Sequence, residues 1–268
     1  MASHSEGHSE HAHPTPGLYI KIGVVLFALV AGAVWVIVAS GDNARAPTYA
    51  WDFSVVGRYL PLFWTGLQLT VAIAVMSITG GAILGLVVAM AQLSSSRILR
   101  GIVTVYVEIM RCTPMLVVLV WFYFALPIVT GVSLPAFQAV VLAFTLNGGA
   151  FFGEAFRSGI VSLPRGQVEA ATILGLTYLQ RMRYVIVPQG FRAVLPVLVS
   201  ISVQMFKDTS LVAVLGVGEL MYNGQLAANN SFRPLEILTT LAAIYFVILF
   251  PMTLILRRLE KRLSRHRR

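Results

Sequence analysis

Residues 169–188 read EAATILGLTYLQRMRYVIVP and join two of the long apolar runs of the chain. Proline suits a first helical turn, so Leu163-Pro164 predicts a helix that begins just before this stretch. Small or apolar residues then recur at intervals of three or four, which is typical of one face of an amphipathic helix pair: Val168, Ala171, Gly175, Leu179 and Met182. An ordered connection of this kind needs a surface to bind, either a partner protein or the lipid surface.

Composition places this stretch in a membrane protein. Of the 268 residues, 57% are hydrophobic and only 12% are charged, against about 25% charged in a typical soluble domain. A membrane-spanning helix needs about 20 mostly apolar residues. Six runs meet that requirement and predict an all-α integral membrane protein: 18–39, 59–92, 102–126, 134–156, 188–206 and 236–256.

Prolines, glycines and the single cysteine refine these spans. Proline removes a backbone hydrogen bond, so Thr113-Pro114 should bend the third span and Pro196 the fifth. The second span carries Gly81 and Gly85, a spacing that permits close helix packing. Cys112 is expected to be a buried, inert side chain, because one cysteine forms no internal disulfide and no metal-ligand spacing is present.

The net charge of +9 comes from Lys and Arg residues that lie between long apolar runs. This placement is better explained by membrane topology than by a nucleic-acid-binding surface. If the N-terminus is cytoplasmic, fifteen Lys and Arg residues fall in inside segments and four fall outside, with Arg111 within the membrane. The positive-inside rule therefore predicts that both termini are cytoplasmic. The His-rich residues 1–17 are expected to form a disordered tail, with metal binding as the alternative, and residues 261–268 a basic tail near anionic lipid.

Residues 158–187 and their flanks also resemble the EAA loop of ABC importer permeases. Glu169-Ala170-Ala171, Gly175 and the run from Val185 to Pro188 match that loop, with Val185 and Val187 where isoleucine and leucine are usual. Further motifs resemble the polar amino-acid branch, which includes histidine, glutamine and glutamate permeases: 159–167, 184–189, Arg111-Cys-Thr-Pro114 with cysteine in place of glycine, and 207–211. The resemblance covers about residues 59–260.

This resemblance implies a type I ABC importer transmembrane domain over residues 59–260, a five-helix core that holds the cytoplasmic coupling loop 158–187. Residues 18–58 would add one extra N-terminal transmembrane helix and an external loop. Two permease subunits, either the same chain or a related one, would form the pore of a bacterial inner-membrane importer for polar amino acids. Two ATPase subunits, which hold ATP and Mg, and an extracytoplasmic binding protein would complete the importer.

The same resemblance assigns the ATPase contact to five residues: Glu169, Ala170, Ala171, Gly175 and Pro188. Glycine and alanine at such a contact allow the two backbones to approach closely. The chain itself is not expected to be an enzyme or to hold a cofactor. A phosphate-binding loop needs Gly-Lys, and the three lysines follow Ile, Phe and Glu.

Two other classes of membrane protein are the alternatives. A secondary transporter would explain the spans and their charges, but it would not need a coupling loop. An intramembrane enzyme needs paired aspartates, a Ser-Lys or Ser-His pair, or a His-Glu metal cluster within its helices. The apolar runs contain none of these combinations.

Charged residues within the spans mark a candidate substrate path, because burying a charge in lipid is costly. Counted from Arg100 at about 1.5 Å per residue, Arg111 lies roughly 16 Å deep, near the midplane. Arg111 either neutralises Glu108, three residues earlier, or meets a substrate carboxylate from the pore wall. Thr113-Pro114 would open the helix just beyond it.

Two more charged pairs lie near the ends of spans. Glu154 and Arg157 repeat the three-residue spacing, which predicts a structural ion pair, with a pore-lining Glu154 as the alternative. Lys207 and Asp208 fall at the outer end of the fifth span, near an expected external gate. The alternative there is that Asp208 or Thr209 caps the following segment.

Overall fold

The computed structural model describes residues 49–264, together with Val25, Ala28, Leu29 and Gly32. The chain divides into two compact units, Met1–Trp51 and Asp52–Arg268. The predicted tail 1–17, most of the predicted first span and residues 265–268 of the basic tail therefore lie outside the described residues.

The second unit is all-α over its described residues, as the composition predicts. Its helices are α1 (Ser54–Gln92), α2 (Arg97–Cys112), α3 (Met115–Thr130), α4 (Ala136–Val161), α5 (Arg165–Ile173), α6 (Tyr178–Arg181), α7 (Val187–Asp208), α8 (Leu220–Ser231) and α9 (Pro234–Ser264). One π-helical turn, Trp121–Ala125, lies within α3. A second, Met182–Ile186, joins α6 to α7, and Thr209–Leu215 form a 3₁₀-helix after α7.

Membrane-spanning stretches account for most of this unit. Within the described residues, four stretches are long and apolar enough to cross a membrane: 54–92, 136–161, 178–215 and 234–260. The bent pair formed by α2 and α3 makes a fifth if it counts as one span. These stretches agree with the predicted five-helix core, although α1 begins at Ser54, ahead of the predicted Tyr59.

The break between α2 and α3 lies where Thr113-Pro114 predicts a bend. The chain bends by 108° between the two helices. Thr113 leaves the helix for an extended conformation, with φ −94° and ψ 126°, because a residue before proline is sterically restricted. Pro196, by contrast, lies inside α7, which accommodates it without a break in the helix.

The core of the unit forms where α1 and α4 pack against each other. A Cβ atom at Gly85 would lie 2.5 Å from the Cβ atom of Phe152 and 2.9 Å from the backbone nitrogen of Gly153. Only glycine fits at this separation, so the close packing predicted from Gly81 and Gly85 is confirmed. Phe152 belongs to a core cluster that also contains buried apolar side chains from several helices: Ile73, Ala89, Val118, Val140, Phe144 and Val212.

Candidate coupling elbow and translocation path

The connection between α4 and α7 forms an ordered helical elbow, residues 165–181. Its first helix starts directly after Pro164, as the sequence predicts. Gly175 then adopts φ +72°, a left-handed conformation that strains a residue with a side chain. Thr177 caps α6: its Oγ1 accepts from the N–H of Gln180 at 3.4 Å, and Gln180 Oε1 accepts from the N–H of Thr177 at 2.9 Å. The predicted helix pair is therefore confirmed.

The tip of the elbow exposes large apolar side chains: Ile173 (86% exposed), Leu174 (78%), Tyr178 (69%) and Leu179 (75%). A group of neighbouring exposed apolar side chains is typical of a surface that contacts a partner protein or lipid. The predicted common apolar face of the two helices is only partly observed. Ala171 is buried, whereas Leu179 is exposed because the turn at Gly175 redirects the chain between the two helices.

The residues that the resemblance assigns to the ATPase contact lie along this elbow and at its exit. Glu169 and Ala170 are exposed on α5, Ala171 is buried, and Pro188 is exposed in the first turn of α7. A Cβ atom at Gly175 would meet no atom within 4 Å among the described residues. The space beside Gly175 is therefore open to a side chain from a partner.

Arg111 lies in the last turn of α2 and is exposed on this chain. Its guanidinium carbon lies 6.0 Å from the ring centroid of Phe151 on α4. Its charge also acts on the carboxylate of Glu154, one turn further along α4. In the described part of the chain Arg111 forms no ion pair with Glu108. The structure thus places Arg111 against α4 and not on Glu108.

Glu108 lies beside Cys112, whose Sγ donates to Glu108 Oε2 at 3.9 Å. The expectation that Cys112 is buried is wrong, because its side chain is exposed. The reason is that α2 buries little of its surface in this unit, with Val107 as its buried side chain. Thr113, at the helix break, donates from Oγ1 to the carbonyl of Ile109 at 2.7 Å.

Glu154 and Arg157 form the ion pair that their spacing predicts. Arg157 Nη2 lies 2.5 Å from Glu154 Oε1, and Arg157 Nε lies 3.1 Å from Glu154 Oε2, so two guanidinium nitrogens hold the carboxylate. Gln92, at the end of α1, also interacts with this carboxylate. Its Oε1 atom is buried and has no hydrogen-bond partner among the described residues. Arg111, Gln92, Glu154 and Arg157 are called the inner polar cluster below.

Lys207 and Asp208 lie at the end of α7, away from this cluster. Asp208 Oδ1 accepts from Gln204 Nε2 at 2.8 Å, and Thr209 Oγ1 donates to the carbonyl of Phe206 at 2.7 Å. The predicted alternative, that Asp208 or Thr209 caps the next segment, is not observed: the 3₁₀-helix has no side-chain cap at Asp208. The inner polar cluster lies toward the elbow end of α4. The structure therefore does not bring Lys207 and Asp208 together with the residues of this cluster.

Glu219 is a buried acidic residue that the sequence interpretation missed. Its carboxylate accepts from the N–H groups of Met221 at 2.9 Å and Tyr222 at 2.8 Å, and from the hydroxyls of Thr70 and Tyr245 at 3.3 Å each. Burial raises the pKa of Glu219 above its usual value. Glu219 therefore caps α8 and ties it to α1 and α9. An acidic residue directly before a helix is a recognisable capping signal, but its burial depends on contacts distant in sequence.

Comparison with known proteins agrees with this architecture. Residues 81–265 match the family described as binding-protein-dependent transport system inner membrane component. The glutamine transport system permease protein GlnP of Escherichia coli (strain K12) is 36% identical over 214 residues, which is 80% of this chain and 98% of that protein. The L-cystine transport system permease protein TcyB of Bacillus subtilis (strain 168) is 36% identical over 217 residues, 81% of this chain and 92% of that protein.

A solved structure shows the same fold. The crystal structure of an amino acid ABC transporter with histidines matches with a TM-score of 0.75 and 34% identity, over 80% of this chain and 100% of that chain. The resemblance seen in the coupling-loop motifs is confirmed, as is the type I importer fold. The chain therefore belongs to the family of inner membrane components of binding-protein-dependent transport systems, the permease subunits of ABC importers.

Proposed function

We propose that this chain is the pore-forming permease of an ATP-driven amino-acid importer, and that its elbow couples the pore to a separate ATPase. An amino-acid cargo is supported by the similar proteins, which carry names for glutamine and cystine transport. The main structural support for coupling comes from the elbow tip. Large apolar side chains are exposed there, and the space beside Gly175 is open. A docked partner would cover both.

Glu169, Ala170, Ala171, Gly175 and Pro188 are the residues that we assign to this ATPase contact. ATP and Mg would be held by the partner, because this chain lacks the Gly-Lys of a phosphate-binding loop. Two ATPase subunits, a second permease subunit and an extracytoplasmic binding protein would complete the importer. The second permease would be the same chain or a related one.

The substrate path is proposed to follow the charged and polar residues of the spans. Charge in a membrane is tolerated where it faces protein or a water-filled cavity. The inner polar cluster, with Thr113 and Glu108 beside it, would line the path near the elbow end. Lys207, exposed at the far end of α7, and Asp208 would line its outer mouth.

Reconstitution tests this function. The chain, its ATPase and its binding protein are placed in proteoliposomes, and uptake of radiolabelled glutamine and cystine is measured. We expect uptake of at least one amino acid only when ATP, the ATPase and the binding protein are all present. ADP in place of ATP is the matched control. Uptake driven by a proton or sodium gradient in the absence of the ATPase would instead identify a secondary transporter.

The proposed orientation has both termini in the cytoplasm and residues 207–236 outside. Cysteines are introduced singly in a Cys112→Ser background, which is needed because Cys112 is exposed. Asn229 and Gln167 are both exposed positions on the chain. A membrane-impermeant maleimide added from outside should label Asn229→Cys and should not label Gln167→Cys until the membrane is permeabilised. The reverse pattern would invert the topology.

A further inference from the structure

The two helices of the elbow are joined by a side-chain hydrogen bond across the Gly175 turn. Arg181 Nη1, at the end of α6, donates to Thr172 Oγ1, near the end of α5. The turn between them is also held by its backbone, where Gly175 N–H donates to the carbonyl of Thr172 at 3.0 Å and Leu176 N–H donates to the carbonyl of Ala171 at 3.2 Å. The hydrogen bond from Arg181 to Thr172 adds a side-chain cross-link between residues that are nine apart in sequence.

Arg181 also stands where the elbow meets the membrane helix. It directly precedes the π-helical turn Met182–Ile186, which continues into α7. Short π-helical turns are common at functional sites. The Nε atom of Arg181 is buried and has no hydrogen-bond partner among the described residues. The guanidinium group is therefore held in place through its bond to Thr172 and by the atoms that cover Nε.

We propose that the Arg181–Thr172 bond is a brace that keeps the elbow rigid, so that a push from the ATPase moves α7 instead of bending the Gly175 turn. This inference rests on the proposed coupling function and adds a positioning residue to it. Glycine is the residue least able to resist a change of φ and ψ, so the turn needs a cross-link to transmit force. A docked ATPase would exclude water from the bond and strengthen it.

Substitutions at Thr172 test the brace with a matched pair. Thr172→Val has nearly the same shape but no hydroxyl oxygen to accept from Arg181, whereas Thr172→Ser keeps the acceptor. The measured quantity is substrate transported per ATP hydrolysed, with ATPase content determined in the same complex. We expect Thr172→Val to lower this ratio by about tenfold, the effect of losing a hydrogen bond to a charged group. Thr172→Ser should remain close to wild type.

The possible outcomes separate the brace from the proposed function. A wild-type ratio in Thr172→Val overturns the brace alone. Equal losses in the Val and Ser variants, or a loss of bound ATPase in Thr172→Val, also overturn it, because they indicate a packing or docking role. If Thr172→Val does not fold and insert into the membrane, Arg181→Gln carries the same expectation. A wild-type complex without ATP-driven uptake overturns the proposed function and the brace with it.

Discussion

Replacing Arg111 with alanine is expected to lower amino-acid uptake by about 100-fold or more, the typical cost of removing one partner of a charge contact that bound substrate would shield from water. An amino acid carries a carboxylate that lipid cannot solvate, so some group along the path must replace part of its water. Arg111 is exposed at the end of α2, its guanidinium carbon lies 6.0 Å from the centroid of the Phe151 ring, and its guanidinium group can hold a carboxylate through two parallel hydrogen bonds. The ATPase should stay bound, because the elbow is unchanged.

Two further variants decide whether Arg111 serves the substrate or only neutralises a neighbour. Arg111→Lys should recover part of the uptake, since lysine keeps the charge but loses the two-pronged geometry of the guanidinium group. The double variant Glu108→Gln/Arg111→Gln should remain inactive, because Arg111 forms no ion pair with Glu108 in the described residues. Full recovery of expression and uptake in the double variant would remove Arg111 from the substrate path.

Elements governed by local chemistry were predictable from the sequence. Long apolar runs predicted the spans, because a helix in lipid must be apolar over about 20 residues. Pro164 and the apolar spacing predicted the elbow, and Thr113-Pro114 predicted the break between α2 and α3. The Glu154–Arg157 pair follows from helix geometry, because residues three apart lie on one face.

Features that depend on contacts between distant helices were not predictable. The size of the bend between α2 and α3, 108°, could not be predicted from Thr113-Pro114, because a proline indicates where a helix breaks and not by how much the chain then turns. Spacing along α2 suggested Glu108 as one possible partner of Arg111, but the bundle places the Phe151 ring of α4 beside it and brings the Glu154 carboxylate within range of its charge. The exposure of Cys112 has the same origin, because a single helix does not reveal which of its faces is covered.

Gly175→Arg is expected to uncouple ATP hydrolysis from transport. Within this chain the position is open, so a new side chain meets no described atom within 4 Å of its Cβ. The left-handed φ of +72° costs a residue with a side chain about 1 kcal/mol, which a bundle of this size tolerates. The arginine would instead fill the space that we assign to the ATPase. We expect substrate moved per ATP to fall by about 100-fold, near the upper end of typical coupling energies.

Two control variants separate the backbone effect from the contact. Gly175→Asn has a small side chain that tolerates left-handed backbone, so it tests strain alone. Gly166→Arg adds the same charge to α5, where a Cβ atom would also meet no described atom within 4 Å. If the ATPase contact lies at Gly175, both variants should transport nearly as much substrate per ATP hydrolysed as the wild type does.

The decisive measurement is the number of amino-acid molecules taken up per ATP hydrolysed, in proteoliposomes that hold the complete complex with its binding protein. Wild type, Gly175→Asn and Gly166→Arg should give similar ratios, and Gly175→Arg should give a ratio about 100-fold lower at equal ATPase content. A Gly175→Arg complex with the wild-type ratio would contradict coupling through this elbow.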